Sequence, residues 1–371
     1  MLNRKFNVAI VGLSFGVEFI PIYQRHPDSN LVAICQRNKD NLVRLGKIWG
    51  IDKLYTDYQA LLQDKSIDIV HINTPPELHA DMVVQGLEAG KHVACTIPMA
   101  LTVEDCHRIV KAQKATGLKY MMMETVIYSR EFLFLKEQYE KGELGKLQFL
   151  RGSHQQDMMA WPEYWYGFPP MLNATHAISP VLSIGNDQAE YVSCLGSGTI
   201  DKSMHKNYGC PFSIETTHIK FKDSDLGAEV TRSLFGVARQ YRESFDVYGS
   251  KKSFEWTQIE GKHHIFHVGE NPFEIAEIPD YAYLLPEEIR DFTQKGVYDN
   301  ADNEHLSFKQ GGGHGGSHPH LVHEFLSAVR EDREPVPNAV RAANITCSGI
   351  LSNQSALKNG EKIYLPEWTL T

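Results

Sequence analysis

Three side chains have the types and positions that suit proton transfer: His176, His154 and Glu124. His176 is the titratable residue of the apolar segment MLNATHAISPVL (171–182), and an imidazole, with an ordinary pKa of about 6.5, suits a general base near neutral pH. Glu124 ends the β-rich run YMMMET, and His154 lies on the run LQFLRGSHQQ. Each also has a structural interpretation: a buried histidine bonded to a carbonyl, a helix N-terminal carboxylate and a polar strand tip.

The stretch GGGHGGSHPHLVHEF (311–325) places four histidines within ten residues: His314, His318, His320 and His323. Imidazole is a common zinc ligand, but the stretch has no His-Glu-x-x-His spacing and no cysteine partner. We therefore expect no metal. We expect a glycine-rich loop that closes over a ligand, with His314 or His318 contributing a hydrogen bond, because glycine permits a close backbone approach.

The first third of the chain alternates short apolar runs with helical patterns. The runs are 6–13, 30–37, 67–76, 91–98 and 118–125, and the helical patterns are 40–49, 57–64, 77–89 and 102–115. Alternation at this spacing predicts a parallel, doubly wound α/β sheet. Ligands of such sheets bind beyond the carboxyl ends of the strands. Glu124 and the turn after the first strand are therefore expected at a ligand-binding edge.

The turn VGLSFGVEF (11–19) is a degraded form of the dinucleotide fingerprint G-x-G-x-x-G. Gly12 fits the first glycine, Ser14 stands at the second position and Val17 at the third, with Gly16 displaced by one residue. A small residue at the second position still lets the backbone approach a pyrophosphate, and a helix N-terminus beyond it attracts negative charge. We therefore predict a bound dinucleotide at this turn.

The end of the second strand bears on which dinucleotide binds. An acidic residue there commonly takes the ribose hydroxyls of NAD. Here Gln36 is neutral but can bond a diol, and Arg37 can stack on adenine or meet a 2′-phosphate. The choice stays open, with NAD(H) favoured over NADP(H) because a single arginine is often a solvated charge.

Composition argues against several classes of partner. The 371 residues carry a net charge of −9 without a block of Lys and Arg, which argues against nucleic-acid binding. No apolar run approaches the ~20 residues that span a bilayer, so no membrane partner is expected. Six cysteines lack paired spacing, and the start has no secretory pattern, which together indicate reduced thiols in a cytoplasmic protein.

The stretches NTPPELHADM (73–82), GKHVACTIPMALTVEDC (90–106) and KGELGKLQFLRG (141–152) resemble the Gfo/Idh/MocA family of sugar and polyol oxidoreductases. The resemblance covers essentially the full chain. It implies a Rossmann NAD(P)-binding domain, residues 1–124, and a substrate-binding and oligomerisation domain, residues 125–371. The second domain is expected to be α/β with an open, mostly antiparallel sheet, and the protein a homodimer or homotetramer.

The chain departs from the family's usual active site. Where the family has Glu-Lys-Pro after the fifth strand, this chain has Thr96, Ile97 and Pro98, so the lysine is missing. The family often has an Asp four residues before its catalytic His; if that His is His176, the Asp position is Leu172. The aromatic and glycine-rich stretches resemble a branch in which Val or Ile precedes that proline, which implies a separate set of polar groups.

The resemblance also implies roles for single residues. His176 takes the position that faces the nicotinamide, and His154 lies on a strand whose residues contact sugar hydroxyls. Cofactor contacts are expected from Gly12, Ser14, Phe15, Gly16, Gln36, Arg37, Asn73, Thr74, Pro75, His79, Thr96, Ile97 and Pro98. Substrate contacts are expected from Tyr128, Asp157, Tyr164, Asn173, His314 and His318.

The loop 158–170 holds two Trp, two Tyr, one Phe and three Pro. Aromatic faces with polar tips suit the apolar faces of a sugar ring, and Tyr164 is the preferred contact. Packing of the loop on its own domain or on another subunit is the equal alternative. On the preceding strand His154 and Asp157 point to opposite faces unless the strand ends or bulges between them.

We therefore predict an NAD(H)-dependent oxidoreductase that acts on a secondary hydroxyl of a sugar, polyol or glycoside. One alternative is an enzyme that oxidises the sugar only transiently, on NAD, in order to cleave a glycoside, dehydrate or epimerise. The other is a non-catalytic NAD-binding sensor or repressor, which the missing lysine favours and the retained His176 opposes.

Overall fold

A computed structural model describes residues 4–185, 188–270, 273–294 and 314–369. The chain divides into two compact units. Unit 1 comprises Met1–Thr125, Tyr281–Ala343 and Trp368–Thr371, and unit 2 comprises Val126–Asp280 and Asn344–Glu367. In the described part of the chain, 281–294 and 314–343 thus cluster with unit 1, and the division at residues 124 and 125 stays a prediction.

Unit 1 is built on a six-stranded parallel sheet. Its strands are β1 Phe6–Val11, β2 Ser29–Cys35, β3 Lys53–Tyr55, β4 Ile69–Ile72, β5 His92–Cys95 and β6 Tyr120–Met122. The order β3-β2-β1-β4-β5-β6 reverses direction beside β1, which confirms the doubly wound Rossmann arrangement. The sequence analysis missed β3, because a three-residue strand with Lys53 and Tyr55 at its ends contains no apolar run.

Five helices of unit 1 alternate with these strands along the chain. They are α1 Ile20–Arg25, α2 Lys39–Trp49, α3 Tyr58–Gln63, α4 His79–Glu88 and α5 Val103–Thr116. The side chains of Asn38, Asp57 and Thr102 each accept a backbone N–H of the first turn, so α2, α3 and α5 begin at polar caps. Gly50 and Gly117 end α2 and α5 in the left-handed conformation.

Unit 2 is built on a nine-stranded sheet. Its strands are β7 Leu147–Gln156, β8 Ala189–Ser197, β9 Ile214–Phe221, β10 Gly227–Ser233, β11 Tyr241–Gly249, β12 Ser253–Glu255, β13 Ile265–His267, β14 Glu274–Ile275 and β15 Ile363–Tyr364. The order is β14-β13-β12-β11-β7-β10-β9-β8-β15. The β7–β10 pair is parallel and the other pairs are antiparallel, which confirms the expected open, mostly antiparallel sheet.

Helix α6, Arg130–Glu140, precedes this sheet, and α7, Thr175–Gly185, packs against β7, β10 and β11. Gly152 on β7 permits the close approach of α7, because a Cβ there would collide with the carbonyl oxygen of Ala177. Pro180 inside α7 has no N–H to donate to the carbonyl of His176, four residues earlier. The apolar segment around His176 is therefore a buried helix lying on the sheet.

The last two helices are α8, Ser317–Glu331, and α9, Ala339–Leu357. Helix α8 packs against α1 and the 3-10 helix Gly16–Phe19, which is why this part of the chain groups with unit 1. All six cysteines are buried free thiols. None of the helices in the described ranges combines the length and apolar character that a bilayer crossing requires.

Candidate active site

The turn after β1 requires glycine at its first position. Gly12 has φ +86°, and a Cβ on it would collide with the carbonyl oxygen of Asn73. The Gly12 N–H donates to the Cys35 carbonyl at 2.9 Å, and the Asn73 N–H donates to the Val11 carbonyl at 2.7 Å. The turn is thus held against the ends of β2 and β4. The first residue of a dinucleotide-binding turn is glycine because neighbouring backbone passes close to it, and the same holds for Gly12.

Gly16 performs the packing that the third glycine of the fingerprint provides. A Cβ on Gly16 would lie 2.9 Å from Ile10 Cγ2 and 3.2 Å from Asn73 Nδ2, so the segment after the turn sits directly on the sheet. The expected helix N-terminus is a four-residue 3-10 helix, Gly16–Phe19, followed by the six-residue α1. The pattern here is therefore G-x-S-x-G with a short helix behind it.

The other predicted cofactor residues follow the carboxyl ends of neighbouring parallel strands. They are Gln36 and Arg37 after β2, Asn73, Thr74 and Pro75 after β4, and Thr96, Ile97 and Pro98 after β5. His79, at the start of α4, joins two of these loops: its Nδ1 lies 2.7 Å from the Pro98 carbonyl oxygen and its Nε2 2.8 Å from that of Thr74. The backbone turn and this edge fit a dinucleotide.

The glycine-rich stretch reaches this turn. His318 Nδ1 lies 3.2 Å from Glu18 Oε2, and both side chains are buried. The ring centroid of Phe15 lies 5.7 Å from that of His318 and 6.4 Å from that of His314. Residues 311–313 of the expected loop lie outside the described residues. His314 and His318 thus support the dinucleotide turn, and their contact with a substrate stays a prediction.

Unit 2 holds two imidazoles and a carboxylate between α7 and the sheet. Glu243 on β11 lies directly opposite His154 on β7, so their side chains share a face. Glu243 Oε1 is 3.9 Å from His154 Nε2 and 3.8 Å from His176 Nε2, and the two imidazole ring centroids are 5.2 Å apart. We call these three residues the His–His–Glu cluster.

Tyr241 orients the carboxylate of the cluster. Its hydroxyl donates to Glu243 Oε1 at 2.6 Å, and its ring centroid lies 5.3 Å from that of His154. The side chain of Glu243 is 13% exposed, so its interactions with the two rings are little screened by water. A fixed carboxylate in this position stabilises the positive charge that an imidazole gains on taking a proton.

Arg232 on β10 lies beside His154 in the parallel register and is completely buried. Its Nε donates to the Asn173 carbonyl at 2.8 Å and a terminal nitrogen donates to Gln156 Oε1 at 2.8 Å. Burial lowers the pKa of Arg232 to about 9, against the opposite effect of the Glu243 charge. The guanidinium is therefore charged at neutral pH and braces the strand that carries His154.

Two more carboxyl groups of unit 2 have raised pKa values. Glu215 on β9 lies opposite Arg232 in register, its Oε2 accepts the Met171 N–H at 2.7 Å, and burial raises its pKa to about 7. Burial also raises the pKa of Glu131 on α6, and the charge of Glu243 adds to that rise. Ionisable groups concentrated in a buried region are typical of functional sites.

Three other predicted residues of unit 2 surround this region. Asp157 follows the end of β7, and its carboxylate accepts from the Gly236 N–H and from the Gln240 amide, each at 3.3 Å. It therefore fixes a neighbouring loop and is not part of the His–His–Glu cluster. Asn173 is buried and uses its carbonyl for Arg232, whereas Tyr128 is half-buried.

The aromatic loop packs largely on itself and on unit 2. The ring of Trp165 lies 5.9 Å from Trp161 and 5.2 Å from Phe168, and Phe168 lies 4.8 Å from Tyr208, between centroids. Tyr164 is 48% exposed. Of the two interpretations of this loop, packing within its own unit describes most of its rings, and Tyr164 keeps an accessible face.

The sequence analysis missed Glu243, Tyr241 and Arg232. The alternating run ESFDVYGSKKSFEWT (243–257) predicts a strand there, but it begins two residues after Tyr241, whereas the observed β11 begins at Tyr241. The segment QYRESF alternates, with Tyr241 and Glu243 on one face, and this alternation was the available signal. Glu124 was predicted, and it lies fully buried just after β6 in unit 1.

Fold and site together define a class: a doubly wound dinucleotide-binding sheet joined to a mixed sheet that carries a buried acid–base cluster. Residues 6–124 match the oxidoreductase family with an NAD-binding Rossmann fold, GFO_IDH_MocA. This match to the NAD-binding domain agrees with the resemblance that the sequence motifs indicated.

Related proteins align over most of the chain. It is 25% identical over 375 residues to a glycosyl hydrolase family 109 protein of Shewanella sp. (strain W3-18-1), covering 95% of this chain and 80% of the relative. It is 25% identical over 333 residues to an alpha-N-acetylgalactosaminidase of Shewanella oneidensis, covering 84% and 72%. The solved levoglucosan dehydrogenase in complex with NADH and levoglucosan shares the fold, with a TM-score of 0.80, 19% identity and coverage of 98% and 100%.

Proposed function

We propose that this NAD-binding oxidoreductase acts on a secondary hydroxyl of a sugar, polyol or glycoside. The observation that carries the proposal is the His–His–Glu cluster, a buried base with a fixed carboxylate in a chain that also has an NAD-binding domain. A carbohydrate substrate is supported by the names of the relatives, a levoglucosan dehydrogenase and an alpha-N-acetylgalactosaminidase.

In this proposal His176 Nε2 takes the proton of the substrate hydroxyl. Glu243 Oε1, 3.8 Å away, stabilises the charge that the ring then carries, and Tyr241 holds that oxygen in place. His154 Nε2 lies 3.9 Å from the same oxygen and shares the carboxylate. NAD⁺ bound by unit 1 supplies the hydride acceptor. This relay needs no lysine, which fits a chain with Ile97 at the family's lysine position.

Unit 1 residues fit NAD(H) better than NADP(H). The Gln36 side chain is half-buried at the end of β2, where its amide suits the two hydroxyls of a ribose. The Arg37 side chain is exposed, which is typical of a charge on the protein surface that is solvated by water. The cofactor contacts at Gly12, Ser14 and Gly16 are backbone contacts, because the turn has no long side chain at these positions. Glu124 as a further proton carrier stays a prediction.

A second candidate is cleavage of a glycoside through transient oxidation. The observation that favours it is the alignment, over 95% and 84% of this chain, with relatives named as glycosyl hydrolase and alpha-N-acetylgalactosaminidase. Dehydration and epimerisation belong to the same chemistry. A sensor or repressor needs no buried acid–base cluster, so the cluster argues against that alternative.

The two candidate activities are distinguished by the product that accumulates. Purified protein is incubated with NAD⁺ or NADP⁺ and with levoglucosan, free hexoses or aryl α-N-acetylgalactosaminides, while NAD(P)H absorbance and aglycone release are recorded. Net NADH supports the dehydrogenase, and aglycone release without net NADH supports transient oxidation. Neither product from any of these substrates, in protein shown to bind NAD, contradicts both.

Three further properties stay predictions from the sequence. They are location in the cytoplasm, assembly as a homodimer or homotetramer, and the lack of nucleic-acid and membrane partners. Size-exclusion chromatography with light scattering tests the assembly.

A further inference from the structure

We propose that the His–His–Glu cluster is a binding site for a divalent transition-metal ion of the zinc class, held by His154, His176 and Glu243. Each residue offers one ligand atom, and the three atoms all lie within 4.8 Å of one another. Two imidazoles and one carboxylate form a donor set that zinc takes in catalytic sites. Residue spacing does not indicate this site, because the three ligands lie on β7, α7 and β11.

The separations between ligand atoms suit a tetrahedral ion after small adjustments. Zinc binds nitrogen at about 2.0–2.1 Å and carboxylate oxygen at about 2.0–2.2 Å, which puts neighbouring ligand atoms about 3.4 Å apart. The distances from Glu243 Oε1 to His154 Nε2 and to His176 Nε2 are 3.9 and 3.8 Å. Closing these two gaps takes side-chain shifts of a few tenths of an ångström, and all three ligand atoms lie within 4.8 Å of one another before any shift.

The neighbours of the cluster hold the ligands in place. The Tyr241 hydroxyl donates to Glu243 Oε1 and holds the carboxylate toward both imidazoles. Gly152 allows α7 to lie against the sheet, so His176 is presented from a rigid helix. His154 lies two residues before the end of the ten-residue strand β7, which has hydrogen-bonded strands on both sides. Ligands on such rigid elements lose little freedom when an ion binds.

The charges around the cluster are mixed. Arg232 adds a buried positive charge beside His154, which opposes a cation. Burial and, to a smaller extent, the charge of Glu243 raise the pKa of Glu131 on α6. The Glu243 carboxylate, which is itself one of the ligands, supplies the negative charge that attracts a cation.

An ion with three protein ligands keeps a coordination position for an oxygen ligand, and a substrate hydroxyl in that position would be polarised. The polarisation rests on the proposed substrate class, whereas metal binding does not, because it is measured without turnover. His176 Nε2 cannot hold an ion and take a proton at once, so in the loaded protein the ion replaces the His176 proton relay of the proposed function. Failure of one therefore leaves the other to be judged on its own data.

Tag-free protein is stripped with a chelator, dialysed against limiting Zn²⁺ and analysed for metal per chain. We expect one Zn²⁺ per wild-type chain, loss of it in Glu243→Gln, and affinity weakened roughly 10–100-fold in Tyr241→Phe, which removes the orienting hydrogen bond. Glu255→Gln is the matched control, since Glu255 Oε2 and His267 Nε2 form an exposed pair at 3.2 Å; it should bind like the wild type.

Co²⁺ provides a second readout at the same site. Its visible absorption in the wild type should report nitrogen and oxygen coordination, and Glu243→Gln should abolish the signal while circular dichroism and NAD titration stay normal. If Glu243→Gln does not fold, the Zn²⁺ affinity of Tyr241→Phe tests the proposal in its place. No Zn²⁺ uptake by the wild type, or wild-type affinity in a folded Glu243→Gln or Tyr241→Phe variant, overturns the proposal.

Discussion

Glu243 on β11 lies directly opposite His154 on β7, and one oxygen of its carboxylate is within 4 Å of two imidazoles, His154 and His176. The pairing of β7 with β11 brings the first two together, and the packing of α7 adds the third. Because all three side chains are largely buried, a change at one of them alters the charge that the others experience.

His176→Ala tests the base. If His176 takes the hydroxyl proton, turnover should fall by roughly 10²–10⁴-fold, while NAD affinity stays near that of the wild type. His176→Gln keeps a hydrogen bond but cannot carry the proton, so its rate should resemble that of the alanine variant. His267→Ala is the control, because His267 pairs with a carboxylate on the surface. Unchanged kcat with a lower Tm in both His176 variants would make His176 a core residue.

Gly12→Ala tests the dinucleotide turn. The new Cβ would meet the carbonyl of Asn73, so the turn must move and NAD affinity should fall sharply in calorimetric titration. Gly90→Ala is matched to it: Gly90 has φ +81°, close to the +86° of Gly12, but a Cβ there meets nothing within 4 Å. The control carries the backbone strain without the collision and should keep its NAD affinity. Normal binding by Gly12→Ala, with nucleotide-free protein, would place the pyrophosphate elsewhere.

Gly152→Ala tests the packing of α7 against the sheet. A Cβ collides with the Ala177 carbonyl, so α7 must shift and carry His176 with it. Overpacking of this kind costs about 1–3 kcal/mol, and we expect a lower Tm together with lower kcat. Gly227→Ala in the same sheet has room, with its nearest neighbour at 3.6 Å, and should change neither. Wild-type stability of Gly152→Ala would show that the helix does not depend on this contact.

The stability of the protein should fall in mild acid. His26 is buried in contact with His323, and burial first, then the charges of His323 and Arg330, lower its pKa from 6.5 to about 3. An unfolded chain protonates this residue below about 6.5, whereas the folded chain keeps it neutral down to about 3. The unfolded state thus binds more protons in that window, and the free energy of unfolding decreases as the pH falls through it.

His26→Asn isolates this contribution, since the amide oxygen can replace the ring Nδ1 that accepts the Asp28 N–H. Urea unfolding at pH 7.5, 6.5 and 5 should give the variant a lower free energy of unfolding than the wild type at pH 7.5. Between pH 7.5 and pH 5 this free energy should fall less in the variant than in the wild type. Part of the loss should remain, because burial also lowers the pKa of His71 to about 3 and of His92 to about 4. Equal slopes for wild type and variant would show that His26 does not contribute.

The Rossmann sheet and its dinucleotide turn could be predicted from the amino-acid sequence alone. Both depend on local properties: apolar runs at strand length, helical patterns between them, and Gly12 where φ is positive. The alternation of apolar and polar residues in AEYVSCLGS (189–197) and SIETTHIKFK (213–222) also predicts two strands, which the structure has as β8 and β9 within one residue at each end. His176 and His154 were singled out from their positions on such runs.

Which polar side chains contact one another could be seen only in the three-dimensional structure. His154, His176 and Glu243 are far apart in the sequence, and strand pairing between β7 and β11 is non-local, so no spacing rule links them. The same holds for His318, which packs with Glu18 and Phe15 because α8 returns to unit 1 at the far end of the chain. Local periodicity fixes which face a residue occupies, whereas its neighbours on that face are set by how distant strands and helices pack.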